Sequence, residues 1–420
     1  MPEINRYLAN VSPVSSNAIS QAAKKDPTIL NLSIGEPDFG PPPHLLEDIS
    51  KQDLLLPHFI DAVKRYEHSR GSQNLRQAVA AWYRRCYGLR FDWEHEIMIT
   101  HGGIEALNLA LLTVTNPSDR VVIADPGYTL YARMITVTGR EVVPLPRPKA
   151  DHEYVAALDR YSVNKAKAIL VNSPENPTGY VMSTEDWKAL SQVAEREDCW
   201  VIQDEVYDVM AFSRTHQTAR SIPGLEARSM LVNSCSKKFG IPGLRIGWLI
   251  ADQQIIDAAT KVHEGLVLGV NILAELIATR LLNDGKIGCW LDKQRAELAR
   301  RNQLAIQLLN HEQGFQWPRF PMGGLFLFPD VHDLYERLPA RYHQSGIDAG
   351  STVAHYFLKE QQIATVPGAA YGSTSRNHIR VTNCGSPHIF ETAIHRLAFI
   401  SRSIVDQSIC LKEQRPSEAV

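Results

Sequence analysis

Lys167-Ala-Ile-Leu-Val171 runs straight into Asn172-Ser-Pro-Glu-Asn-Pro-Thr-Gly179. The apolar run is too short for a helix and too apolar for an edge strand. It reads as a strand covered on both faces, ending in a polar turn. The same cadence recurs on both sides of it. Glu96-Ile-Met-Ile-Thr100 leads into His-Gly-Gly and a helical pattern from Glu105 to Val114, and Arg120-Val-Val-Ile-Ala124 leads into Asp-Pro-Gly-Tyr. Trp200-Val-Ile-Gln203 leads into Asp-Glu-Val-Tyr, Ser229-Met-Leu-Val232 into Asn-Ser-Cys-Ser-Lys-Lys, and Leu244 to Ile250 is a further run. Short Val- and Ile-rich runs alternating with helices predict an α/β fold: a mostly parallel sheet covered by helices.

That pattern fills residues 49–284, read as one large domain. The last third differs, with a long amphipathic helix over about Asp292 to Asn310, a hairpin-like Met322-Gly-Gly-Leu-Phe-Leu-Phe segment and a strand at His378–Thr382. Residues 285–410, with 1–48 as an N-terminal arm, are therefore expected to build a smaller α+β domain. Residues 411–420 read as a polar tail.

Composition narrows the function. The 420 residues carry 44 Lys+Arg against 46 Asp+Glu, a net charge of −2, which argues against nucleic acid as the main partner. The apolar stretch from Leu266 to Ala274 is cut by Glu275, far short of a membrane span. No basic segment leads into an apolar run at Met1-Pro-Glu-Ile-Asn-Arg, so no secretory signal is expected. Cysteines at 86, 199, 235, 289, 384 and 410 show no CxxC spacing. Free thiols in a reducing cytoplasm, and no metal site, are the expectation.

In open α/β sheets ligands sit beyond the carboxyl ends of the strands. Here those loops carry Gly102-Gly103, Tyr128, Asn176, Asp204 with Tyr207, and Ser234-Cys-Ser-Lys237. Each alone has a plain structural explanation: a turn, a helix cap, a solvated charge. Their fixed order at the ends of successive strands does not.

At these residues a family resemblance emerges. Ser33-Ile-Gly-Glu-Pro-Asp38, Asn172 to Gly179, Asp204-Glu-Val-Tyr207 and Ser234-Cys-Ser-Lys-Lys-Phe-Gly-Ile-Pro-Gly-Leu-Arg-Ile-Gly247 resemble the class I/II aminotransferases. These are pyridoxal-phosphate enzymes of the aspartate aminotransferase superfamily, fold type I, and the similarity runs from about Ser33 to Arg380. It implies that Lys237 forms the Schiff base with the cofactor and then moves the substrate Cα proton. Lys238, next door, is the competing candidate and is assigned a structural or surface role. The resemblance further implies that Asp204 faces the pyridine nitrogen, that Tyr207 and Asn176 bond the 3′-oxygen, and that Tyr128 stacks on the ring. Gly103 and Ile104, opening a helix, would hold the phosphate with Ser234, Ser236 and Arg245. Tyr66, ahead of Gly71 and Leu75-Arg76, matches a tyrosine that reaches the phosphate from a partner subunit, implying a homodimer with shared active sites. Arg380 matches the clamp for the substrate α-carboxylate, with Gly35 and Asn176 lining the same pocket.

Two departures bear on the substrate. Dicarboxylate-specific relatives carry a second cation, either just after the Gly-Gly turn, where this chain has Ile104, or in the segment that here reads Gly265–Asn271 and lacks Arg. A neutral amino donor is therefore expected, and a 2-oxo acid acceptor. A basic donor needs a counter-charge such as Glu264 or Glu275, otherwise read as solvated helix residues. Other reactions from the same cofactor, namely β-elimination, cyclisation or oxidation, form the alternative. A ligand-sensing regulator would need a DNA-binding domain, for which about 30 residues before Ser33 leave no room.

Overall fold

The computed structural model describes residues 6–9, 15–50, 59, 62, 64–146 and 165–413. Twelve strands are described: β1 (Leu30–Asn31), β2 (Ile97–Thr100), β3 (Arg120–Asp125), β4 (Glu141–Pro146), β5 (Ala166–Asn172), β6 (Trp200–Asp204), β7 (Ser229–Ser234), β8 (Gly247–Ile250), β9 (Phe326–Leu327), β10 (Ile363–Ala364), β11 (Val366–Pro367) and β12 (Ile379–Thr382). Seven form one sheet in the order β2-β8-β7-β6-β5-β3-β4. From β7 to β4 every pairing is parallel, and β8 runs antiparallel to both of its neighbours. The architecture is the mixed α/β fold expected from the strand cadence.

The central strands are buried along almost their whole length. Alternate residues feed two cores. Ile99, Ile169, Val171, Val201 and Leu231 pack with the helices Gln73–Tyr87, Thr184–Arg196 and Ile272–Leu282. Met98, Leu170, Ile202, Met230 and Val232 pack on the other face with the helices Gly103–Val114 and Gln253–Leu266. This two-sided burial is why the strands read as unbroken apolar runs rather than alternating ones. β4, with Pro144 and Pro146, was not anticipated; it lies at the sheet edge, where a missing N–H is tolerated.

A third core holds Leu32, Leu327, Val353, Phe357, Ile379, Val381 and Phe390 around two small sheets, β11-β12-β9 and β1-β10. The Gly-Gly segment is not a hairpin: β9 pairs antiparallel with β12, setting Phe326 opposite Thr382. The long helix spans Ile287–Leu308, starting a turn earlier than expected because Ile287 and Leu291 extend its buried face. The run Leu244–Ile250 is a strand only from Gly247, since Arg245 takes a left-handed conformation (φ 56°). The last helix, Pro387–Glu413, extends into the stretch read as a tail, and residues 414–420 lie outside the described residues. Among the described residues no helix is long and apolar enough to cross a membrane, and no group of three or more His, Cys, Asp or Glu could hold a metal ion.

Candidate active site

β2, β3, β5, β6 and β7 all end at one edge of the sheet, where β8 begins. Register aligns Asn172 with Asp204 and sets Thr100 and Ser234 on either side of Gly247. A cavity of about 210 Å³ lies along this edge. Every residue assigned to the cofactor except Tyr66 lines it: Gly103, Ile104, Tyr128, Asn176, Asp204, Tyr207, Ser234, Ser236, Lys237 and Arg245.

One end of this cavity suits an anion. The helix Gly103–Val114 starts there with Gly102 as its N-cap, and no side chain caps it. Its first N–H groups are therefore left to a ligand, reinforced by the helix dipole. Gly102 sits at φ 77°, and a Cβ there would come 2.6 Å from Arg245 Nη2, so the turn tolerates only glycine. The Arg245 guanidinium lies over this turn, donating to the carbonyls of Pro242 (2.9 Å) and His101 (3.3 Å). Ser234 Oγ accepts from Ser236 N–H at 3.2 Å.

The other end suits a ring nitrogen. Asp204 is buried, and its Oδ2 accepts from the Tyr131 hydroxyl at 2.7 Å while Oδ1 accepts from Val206 N–H at 3.2 Å. Burial lifts its carboxyl to about 6 despite these donors. A protonated ring nitrogen beside it would restore the anion. Between the two ends Lys237 Nζ donates to the Gly35 carbonyl at 2.7 Å, and burial pushes its pKa below the usual lysine value. Burial lifts the phenols of Tyr128 and Tyr207, which keeps both protonated as donors.

A second cavity, about 300 Å³, adjoins the first and shares Tyr128, Asn176, Tyr207 and Lys237 with it. Arg380, on β12, is buried in its wall. Nη2 donates to the Ser33 carbonyl at 2.7 Å, Nη1 to Asn176 Oδ1 at 3.2 Å, and Nε is buried with no partner among the described residues. Phe326 and Tyr371 flank the guanidinium at 4.3 and 5.0 Å from their ring centres. No carboxylate among the described residues pairs with it, so its fork is open to a carboxylate ligand. Gly35 lines the same cavity, and a Cβ there would press on the Phe326 ring.

Tyr66 lines neither cavity and is 81% exposed. Glu264 also lines neither; it is exposed and accepts from Ser69 Oγ at 2.8 Å. Glu275, expected on a solvated helix face, is instead buried. It accepts from Ser72 N–H at 3.0 Å, where the chain turns into the helix Gln73–Tyr87. Lys238 is buried too, paired with Asp208 at 2.8 Å, so its role lies in the interior and not on the surface. Sequence reading missed Tyr131, Tyr371 and Phe326. Tyr131 had a usable signal: three residues after Tyr128 on a helix start, it shares that residue's face.

Pyridoxal phosphate, implied by the resemblance, fits this donor set. The uncapped helix start and Arg245 would answer a phosphate, Asp204 a pyridine nitrogen, and the half-buried amine of Lys237, which lines the same cavity, would meet an aldehyde.

The comparisons agree. Residues 27–397 match the family model for aminotransferases of class I and II. The aromatic-amino-acid aminotransferase 2 of Thermococcus litoralis is 26% identical over 93% of this chain and 96% of its own length. The aspartate aminotransferase of Pyrococcus abyssi is 28% identical over 94% and 97%. The structure of N-succinyldiaminopimelate aminotransferase from Mycobacterium tuberculosis superposes with a TM-score of 0.83 at 25% identity, covering 95% of this chain and all of that one. With the match covering the whole first cavity, Lys237 and Arg380, the chain belongs to the class I and II aminotransferases, a family of pyridoxal-phosphate-dependent transferases of amino groups.

Proposed function

We propose that this aminotransferase takes its amino group from an L-amino acid with a neutral side chain and passes it to a 2-oxo acid. The observation that carries the reading is the junction of the two cavities at Lys237, one side built for a phosphorylated ring and the other closed by Arg380. Pyridoxal phosphate, when bound, supplies an aldehyde for the amine and a ring that draws electrons from the substrate Cα. Gly103, Ile104, Ser234, Ser236 and Arg245 would hold its phosphate, Asp204 its ring nitrogen, and Tyr207 and Asn176 its phenolic oxygen, with Tyr128 beside the ring. Arg380 fixes the α-carboxylate and so orients Cα. Lys237 Nζ, its pKa lowered by burial, would take the Cα proton and deliver it to the carbon that carried the cofactor's aldehyde.

The second cavity's walls support a neutral donor: Ile34, Leu130, Phe326 and Tyr371 supply apolar surface, and the two charged lining residues besides Lys237 and Arg380, Lys24 and Glu36, lie 3.8 Å from each other. Neither Glu264 nor Glu275, the counter-charges a basic donor would use, lines it. The relatives' own donors differ from one another, so their names do not select one.

We further read the enzyme as a homodimer with shared active sites. Tyr66 stands exposed close to the exposed apolar run Leu266–Leu268, where Gly269 approaches the Glu67 carbonyl. A cytoplasmic setting is supported by the free thiols of Cys86, Cys199, Cys235, Cys289 and Cys384.

The test is a single turnover without acceptor. The purified protein is mixed with a panel of neutral, acidic, basic and aromatic amino acids, and the products are counted. One 2-oxo acid per site, greatest with neutral donors and without ammonia, supports the reading. Continuous ammonia release would instead assign elimination or oxidation.

A further inference from the structure

Asp125 closes β3, three residues before Tyr128, whose ring borders both cavities. It is buried, and no cation among the described residues pairs with it. Four donors surround its carboxylate, all from one short segment 248 or 249 residues further along the chain. Oδ2 accepts from Ser373 N–H (3.1 Å) and Ser373 Oγ (2.7 Å). Oδ1 accepts from Thr374 N–H (3.3 Å) and Thr374 Oγ1 (2.8 Å). Two residues on, Gly127 N–H donates to the Tyr371 carbonyl at 2.9 Å. Gly372, between them, has φ 153°, and a Cβ there would overlap the Asp125 carboxylate. The end of β3 and residues 371–374 are thus zipped together, and at position 372 no side chain larger than hydrogen fits.

The bond pattern selects a carboxylate. Two oxygens with two lone pairs each meet four N–H and O–H donors. An amide of the same shape offers one acceptor oxygen and turns an NH₂ toward two donors.

The seam ends at the substrate cavity. Tyr371, its first residue, lines that cavity, lies edge-on to Phe328 at 5.9 Å and flanks Arg380. Tyr128, which follows Asp125 on the other strand of the seam, lines the same cavity. The grip of Asp125 on Ser373 and Thr374 thus ties together the two segments that carry these tyrosines.

We propose that Asp125 is a positioning residue for the amino-acid substrate: it fixes Tyr371 against Arg380 and so sets the width of the cavity that receives the substrate. It touches neither substrate nor cofactor and acts through Tyr371. The claim rests on the assignment of the second cavity to the amino acid.

The test is a double-mutant cycle on Asp125→Asn, Tyr371→Ala and the pair, using the best donor from the panel above. Asp125→Asn should raise KM about tenfold with kcat within about threefold of the parent. In the Tyr371→Ala background the same change should add less than about twofold, because the residue it acts through is gone. The dissociation constant of 3-phenylpropionate, a carboxylate with no amine to transfer, should follow the same pattern by calorimetry. Effects that multiply across the cycle, or a loss confined to kcat, overturn the proposal. If Asp125→Asn does not fold, Thr374→Val, which removes one donor to Oδ1, is run through the same cycle. Arg380→Ala keeps the two claims apart. Should it leave KM and the 3-phenylpropionate affinity unchanged, the cavity assignment falls; should it raise both while Asp125→Asn does not, only the role of Asp125 falls.

Discussion

Lys237 and Lys238 are neighbours on the short helix Cys235–Lys238, and their surroundings are opposite. Lys237 reaches the junction of the two cavities, where a carbonyl is its hydrogen-bond partner and no carboxylate among the described residues pairs with it. Lys238 turns into the interior. It pairs with Asp208 at 2.8 Å and lies 4.8 and 5.3 Å from the ring centres of Trp82 and Trp248. Asp208 also accepts from the Tyr87 hydroxyl at 2.6 Å. Burial works against its charge, but Lys238, His216 and these donors outweigh it and hold its carboxyl below the usual range. Beside it Glu205 is bonded by Tyr83 and by His216, the latter at 3.0 Å. The same split separates Asp204 from Glu205 and Tyr207 from Asp208. One member of each couple faces the cavity, and the other is locked into the charged network behind it. The difference bears on the reactive role proposed for Lys237: it has partial burial without a compensating charge, beside a neighbour whose charge is compensated. Size does not mark the site either, since a cavity of about 950 Å³ opens on the Lys238 side, bordered by Trp82, Asp208 and His216.

The comparison breaks most sharply at Lys237 itself. Lys237→Ala should cost at least about 10⁴-fold in kcat and abolish borohydride trapping of the cofactor, while Lys238→Met keeps the trapped label. A label found on Lys238 would reverse the assignment. Lys238→Met should instead act on stability. It leaves Asp208 buried and uncompensated, a cost of about 3–5 kcal/mol in denaturant unfolding. Adding Asp208→Asn should recover most of that loss, and failure to recover would mean the pair is not the source.

Asp204 gives a pH signature of comparable size. Its folded pKa, about 6, lies above the ordinary value of 3.8. Between those values the folded chain keeps a proton that the unfolded chain has released, so stability falls as pH rises through this window. For protein freed of pyridoxal phosphate the difference is about 3 kcal/mol, and Asp204→Asn should remove it. Stability rising with pH across the same window in the parent, but not in the variant, would contradict the burial argument.

The smallest effect concerns the subunit partner. Tyr66→Phe and Lys237→Ala chains, unfolded and refolded together in equal amounts, should regain about one quarter of the parent's active sites if Tyr66 is supplied across a dimer interface. No gain over the sum of the separate proteins would place Tyr66 outside the site.

Much of this molecule was legible in its sequence, for reasons that differ by region. The central strands announced themselves because burial on both faces leaves no polar alternation, as in Ala168 to Val171. The strand-end residues were legible because polar groups in fixed order after apolar runs have few structural explanations in common. β4 was hidden by its two prolines. Glu275 was misjudged because its helix pattern says nothing of the backbone N–H of Ser72, some 200 residues earlier, that it accepts from. Tyr371 and Asp125 were invisible for the same reason: their meaning lies in a contact between segments far apart in the chain. For Lys238 the sequence left a structural and a surface role open, because its counter-ion and its two tryptophans arrive from three separate elements.

β1 pairs in parallel with β10, setting Leu30 beside Ile363 and Asn31 beside Ala364. That pairing closes a loop of over 300 residues, so it can form only after nearly the entire polypeptide has left the ribosome. The seven-stranded sheet, complete by Ile250, can assemble long before. Ser33 and Gly35, just past β1, must therefore wait for late-synthesised partners such as Arg380 and Phe326. A nascent chain can thus assemble the cradle proposed for the cofactor well before the grip proposed for the amino acid.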